Sequence, residues 1–209
     1  MRVAEEGYPI IFSAGVAAAI SFAVGWIAIA CILLLLTISI AAFFRDPERV
    51  SPKGEGLIVS PADGKVVSIA ALNGESPFYG AATRISIFLS PFDVHINRTP
   101  VKGRVEGIKY QRGEFLAAYR EDASARNEQN ALSFVDGEGR KFDVVQIAGV
   151  LARRIVCRVK PGDALALGER FGLIMFGSRT DTYLPSGCRV EVVEGQRVKG
   201  GETILGRLV

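Results

Sequence analysis

Between Glu6 and Arg45 the chain carries no charged residue, an unbroken run of 38 positions from Gly7 to Phe44. The run is too long for a helix of a soluble core, and longer than the about 20 residues that one perpendicular bilayer span needs. Two readings fit. In one, Gly15, Ser21 and Gly25 mark a bend, and two short helices enter and leave the bilayer from the same side. In the other, a single tilted span occupies Trp26 to Phe44 and the earlier part lies at the interface. A cleaved signal peptide fits less well, because MRVAEEGYP sets two glutamates behind one arginine and the run is long. Residues 1–45 are therefore expected to form a hydrophobic helical membrane anchor. Arg45, Arg49 and Lys53 follow the apolar boundary and favour the cytoplasmic side, diluted by Asp46, Glu48 and Glu55.

From Leu57 onward the periodicity becomes that of strands. Lys65 to Ala70, Thr83 to Leu89, Arg104 to Tyr110, Lys141 to Ile147, Ile155 to Val159, Phe171 to Phe176, Arg179 to Leu184 and Arg189 to Val193 are short and rich in β-branched residues. Turn signals separate them at Ala62-Asp63-Gly64, Asn73-Gly74, Asp136-Gly137, Pro161-Gly162-Asp163 and Pro185-Ser186-Gly187. Residues 46–209 are thus expected to be mainly β within an α+β chain, an antiparallel sandwich or barrel-like domain. A helix is expected over Glu114 to Arg120, leading into a mobile polar loop over Glu121 to Asn130. A net charge of +3 is too small to argue for nucleic acid. Three cysteines without CxxC spacing suit a reducing compartment, and a single histidine argues against a zinc site, so no metal is expected.

Four places offer chemistry. Gly177-Ser178 is the only Gly-Ser pair in the chain and lies between two strand-like segments. A glycine carbonyl can be held in a conformation other residues resist, open to a neighbouring serine hydroxyl, although the same dipeptide also marks a simple bulge or turn. His95, the lone histidine, follows a strand in a proline-bearing loop and suits proton transfer near neutral pH. Asp63 sits in a turn between strands. Arg126 offers a planar fork for a phosphate or carboxylate, and Asn127 beside it both donates and accepts.

The motifs SPADGKV (Ser60 to Val66), FLSPFDVHINRTP (Phe88 to Pro100), ARNEQN (Ala125 to Asn130) and RFGLIMFGSRTDTYLP (Arg170 to Pro185) stand in this order behind the apolar segment. In this the chain resembles the short, type II form of phosphatidylserine decarboxylase, a self-processing pyruvoyl enzyme of phospholipid biosynthesis. The resemblance implies cleavage between Gly177 and Ser178 into a large subunit and a small one of 32 residues, 178–209. It further implies a covalent pyruvoyl cofactor made from Ser178, which forms a Schiff base with the substrate amine. Asp63 would orient or polarise the group that deprotonates Ser178. That base is either His95 or Asp63 acting through water, because Arg98 stands where long forms carry a second histidine, three positions after His95. Arg126, Asn127 and Arg98 would contact the phospholipid. The implied setting is the cell membrane, the catalytic part on its cytoplasmic face, with the cleaved fragment as second subunit, a homodimer, and no nucleic-acid partner. Two other readings remain: a membrane-tethered β carrier or binding module without catalysis, and a decarboxylase of an archaeal-type serine phospholipid.

Overall fold

A computed structural model of the chain describes residues 2–72, 80, 83–116, 123–150, 154–175 and 177–208. It divides into two compact units, Met1–Glu48 and Arg49–Val209.

In the first unit a 3-10 turn (Glu5–Gly7) leads into α1 (Tyr8–Ala23), with a proline in its first turn, where the missing N–H removes no helical bond. The helix stops at Gly25, whose φ of +85° belongs to the left-handed region. Gly25 N donates to Phe22 O and Trp26 N to Ser21 O, which satisfies the last carbonyls. The chain then reverses into α2 (Ile27–Phe43). An antiparallel bridge between Val3 and Arg45 closes the hairpin, so the bent arrangement is the one adopted, with its bend at Gly25. Phe12, Phe22, Trp26, Ile32 and Leu35 point outward, whereas the buried positions away from the base of the hairpin are small, Ala18, Ser21 and Ala30, with Phe43 and Phe44 buried at the base. Small residues between helices and large apolar ones outside suit a lipid surrounding. Residues Glu5–Ala23 are long and apolar enough to cross a membrane, while α2 is somewhat shorter.

The second unit begins with β1 (Leu57–Val59), β2 (Gly64–Ala71), β3 (Thr83–Leu89), β4 (Ile96–Arg98) and β5 (Gly103–Gln111). A single-turn α3 (Ala123–Arg126) precedes β6 (Gln129–Val135), β7 (Lys141–Ile147), β8 (Ile155–Cys157), β9 (Ala164–Leu165) and β10 (Arg170–Ile174). Then come β11 (Ser178–Leu184), β12 (Cys188–Val190), β13 (Arg197–Val198) and β14 (Ile204–Leu208). The large sheet runs β13-β2-β3-β11-β7-β6-β5-β9, and two three-stranded sheets, β1-β14-β12 and β4-β10-β8, accompany it. Every pairing between the described strands is antiparallel, with bulges in β2 and β5 that increase local twist. One face of the large sheet contributes Val66, Ile85, Ile87, Leu89, Val144 and Leu184 to the core, with Phe134, Phe142 and Phe171. Burying each such side chain is worth about 1.5–3 kcal/mol.

Two expectations need correction. Glu114 lies in an isolated bridge with Asn127 rather than at a helix start, and residues 117–120 fall outside the described residues. The stretch from 123 to 130 is not a loop but α3 and, after Asn127 and Glu128, the start of β6, because its backbone finds partners: Asn127 N donates to Ala123 O, and Glu128 N to Glu114 O. The turn at Asn73-Gly74 also lies outside the described residues.

Candidate active site

β10 belongs to one small sheet and β11 to the large one, so the chain changes sheets over residues 175–177. Gly177, at that change, has φ +59°, a conformation costing other residues about 1–2 kcal/mol. Among the described residues a Cβ there would meet nothing within 4 Å, so conformation, not crowding, calls for glycine. Ser178 opens β11 opposite Leu89 of β3 and is fully buried. Its Oγ has no hydrogen-bond partner among the described residues. A buried hydroxyl left unsatisfied costs about 1–3 kcal/mol, a cost that a bound water, a ligand or a catalytic role accounts for.

The loop after β3 returns the chain to the same end. His95 is buried, and its carbonyl accepts from Ile174 N, three residues ahead of Gly177. Its Nδ1 stands 2.9 Å from the Asp93 carbonyl. A carbonyl only accepts, so Nδ1 carries the proton, and in the neutral ring Nε2 keeps the basic lone pair. Asp93 secures the loop in turn: its carboxylate accepts from the Ser90 amide at 2.8 Å and hydroxyl at 2.6 Å, and from Arg197 at 2.9 Å. Burial alone would raise the Asp93 carboxyl, but these hydrogen bonds outweigh it and hold its pKa below the ordinary value.

Asp63 lies just ahead of β2, whose Lys65 pairs with Phe88, so it too belongs to this end of the sheet. β3 separates β2 from β11, which sets the two backbones about 10 Å apart. Asp63 Oδ1 accepts from Gly200 N at 2.7 Å and Oδ2 from Arg49 at 2.8 Å. Arg98 is buried beside the same turn. Its amide donates to Pro61 O and its guanidinium to Gly168 O at 3.0 Å, and a Cβ on Gly201 would lie 2.9 Å from its Cδ. The fold thus gathers Ser178, His95 and Asp63 at one end of the large sheet, and Arg98 braces turns there.

Arg126 and Asn127 divide sharply. The Arg126 guanidinium is half-exposed and forms a bidentate pair with Glu114, at 2.8 and 2.9 Å. Asn127 is fully buried. Its Nδ2 donates to Leu116 O and Ala148 O, both at 2.8 Å, and its Oδ1 accepts from Leu116 N at 2.9 Å. Both amide hydrogens therefore serve the backbone.

Two polar groups next to Ser178 escaped sequence reading. The first is a buried amide chain: Asn130 Nδ2 donates to Gln146 Oε1 at 3.0 Å, and Gln146 Nε2 to Asn97 Oδ1 at 2.8 Å. Gln146 is the register partner of Thr180, two residues from Ser178 on the same face. The second is Arg179, which pairs with Asp181 through two 2.7 Å bonds and also with Ser124 of α3. The available signal was β11 itself, SRTDTYL, polar at its first five positions yet flanked by apolar strands. A cavity of about 610 Å³ lined by Lys102, Arg104, Val135, Asp136 and Leu165 lies at the opposite end of β5 and β6 and belongs to other surroundings.

Residues 36–206 match the family model described as phosphatidylserine decarboxylase. The phosphatidylserine decarboxylase proenzyme of Geotalea uraniireducens is 45% identical over 206 residues, covering 99% of this chain and 96% of that protein. The protein of the same name from Ruegeria pomeroyi is 50% identical over 188 residues, 88% of this chain and 83% of its own. That of Geobacter sp. strain M21 is 44% identical over 214 residues, 99% and 96%. With the Gly177-Ser178 junction, the buried histidine and the apolar hairpin already in view, these matches make the chain a member of the phosphatidylserine decarboxylase family.

Proposed function

We propose that this chain is a proenzyme that cuts itself between Gly177 and Ser178, converts Ser178 into a pyruvoyl group and decarboxylates phosphatidylserine to phosphatidylethanolamine. The observation that carries the reading is the Gly177-Ser178 junction, where a left-handed glycine precedes a buried serine hydroxyl that no described residue engages. The residues there fit such a group, since no described residue engages the hydroxyl and none lies within 4 Å of a Cβ on Gly177.

In the cleavage, Ser178 Oγ attacks the Gly177 carbonyl carbon and His95 Nε2 takes its proton. That proton passes to the Ser178 nitrogen as the C–N bond breaks, leaving an ester. Loss of the Ser178 α-proton then expels Gly177 as a carboxylate, and water releases the nitrogen as ammonia, leaving a ketone at position 178. Asp63, held between Arg49 and the Gly200 amide, is a fixed negative charge at this end and favours the protonated histidine. The pyruvoyl group, once formed, supplies an electrophilic ketone that serves as electron sink for loss of CO2. His95 then returns a proton to the substrate carbon. The hairpin of residues 8–43 holds the enzyme at the bilayer where its substrate resides. Arg45 and Lys53 favour the cytoplasmic side, whereas Arg49 is committed to Asp63 and Glu202.

The test is release of CO2 from phosphatidylserine labelled in the serine carboxyl and presented in vesicles. The natural chain is expected to release label and accumulate phosphatidylethanolamine, and Ser178→Ala to release none. Label released by Ser178→Ala at the natural rate, or none from folded and cleaved natural protein, overturns the reading.

A further inference from the structure

Asn97 lies two residues beyond His95 in β4, opposite Gly172 of β10, the strand that runs into the Gly177-Ser178 junction. It is fully buried. Its Oδ1 accepts from Gln146 Nε2, while its Nδ2 has no hydrogen-bond partner among the described residues. Which end of an amide is which follows from its network, and here the network is directional. Gln146 Nε2 also faces the Val156 carbonyl at 3.4 Å, an acceptor only, which fixes the Gln146 amide. The Gln146 amide in turn fixes Asn97 with its oxygen toward Gln146 and its NH2 turned elsewhere. Gly172 keeps this arrangement open: a Cβ there would stand 2.2 Å from Val156 O and 3.2 Å from Gln146 Nε2. Thr180, the register partner of Gln146, likewise presents a buried Oγ1 with no partner among the described residues. One buried donor, two buried hydroxyls and a histidine therefore converge on one end of the sheet. Among them, the Asn97 NH2 is the donor that is both turned in a direction imposed by its neighbours and left without an acceptor among the described residues.

We propose that Asn97 is a catalytic residue of the self-cleavage, its Nδ2–H donating to the Gly177 carbonyl oxygen as Ser178 attacks. This rests on the cleavage reading above. Attack by Oγ turns the carbonyl π bond into a lone pair on oxygen. The donor stabilises that charge until the carbonyl re-forms and the C–N bond breaks, its nitrogen receiving the proton His95 had taken. An amide donor oriented before the reaction, away from water, is the arrangement that acts most strongly on developing charge.

The experiment follows precursor synthesised in a cell-free system with phospholipid vesicles, reading fragment formation against time. Asn97→Asp keeps the size and the acceptor oxygen for Gln146 but removes the donor. It is expected to cut about 10²–10³ times more slowly, the loss seen on removing one such donor. Hydroxylamine, which cleaves esters, should not restore cutting, because the ester forms too slowly. Gln146→Glu is the second variant: its carboxylate draws Asn97 Nδ2 toward itself, so it should slow cutting with Asn97 intact. Cutting at the natural rate in folded Asn97→Asp, or in Gln146→Glu should Asn97→Asp not fold, overturns the proposal. So does rapid hydroxylamine cleavage of Asn97→Asp, which would place the defect after the acyl shift. If the natural chain itself stays whole, it is the cleavage reading that fails.

Discussion

Asn97 and Asn127 are both completely buried, both close to the end of the large sheet, and opposite in how they are used. Asn127 ties Leu116 and Ala148 together and has both amide hydrogens engaged. Asn97 has its oxygen engaged and its NH2 left over. A saturated buried amide is a structural pin, whose loss leaves backbone groups unpaired and destabilises. An unsaturated one costs stability as it stands, and the fold tolerates it where chemistry uses it. Stability and cleavage rate should therefore separate along this line.

The largest effect on the chemical side is expected from His95→Gln, which keeps a polar side chain but removes the base. Cutting should slow by about 10²–10⁴ with little change in melting temperature; a natural rate would remove His95 from the mechanism. On the structural side Asn127→Ala should cost about 3 kcal/mol by orphaning Leu116 and Ala148 backbone groups. Thermal unfolding reads this as a drop of roughly 6–12 °C, while the molecules that fold cut at the natural rate. A variant stable but slow would erase the contrast between the two asparagines. Gly172→Ala tests the bridge between the regions: its methyl must displace β8 or the Gln146 amide, costing about 1–3 kcal/mol and slowing cutting through Asn97.

Smaller effects follow at the periphery. The Asp93 carboxyl titrates below its unfolded value of 3.8, so the stability it lends the His95 loop is present above that pH and disappears as pH falls through the folded pKa. Acid unfolding of Asp93→Asn should show a shallower pH dependence below about pH 4 than the natural chain; identical curves would deny Asp93 that role. Arg126→Ala removes an exposed ion pair with Glu114 and should change stability by at most about 1 kcal/mol. A large rise in the KM for phosphatidylserine would give that arginine a substrate contact.

Elements with a clean local signal were legible. β3 and β7 have the bounds their alternation suggested, Thr83–Leu89 and Lys141–Ile147, and the uncharged run became two helices turning at a glycine. β6 was hidden because its N-terminal part, Gln129-Asn130, reads as loop, and only pairing with β5 and β7 makes it strand. The site was half legible. Ser178 and His95 announce themselves by residue type, but the partners of Asp63 lie 14 and 137 positions away, at Arg49 and Gly200. Asn97 carries no local sign at all. Its significance comes from Gln146, 49 positions on, and from a glycine in a third strand.

Intact mass of the folded natural chain beside Ser178→Ala, each prepared with phospholipid, tests the central claim most directly. The account predicts two fragments meeting at Gly177 and Ser178 for the natural chain. The 32-residue C-terminal piece should lack an N-terminal α-amine, keeping only the side-chain amine of Lys199, and be lighter by one ammonia than simple hydrolysis would leave it, and the variant should remain one whole chain. A folded natural chain that stays whole, or a Ser178→Ala variant cut at the same bond, would contradict it.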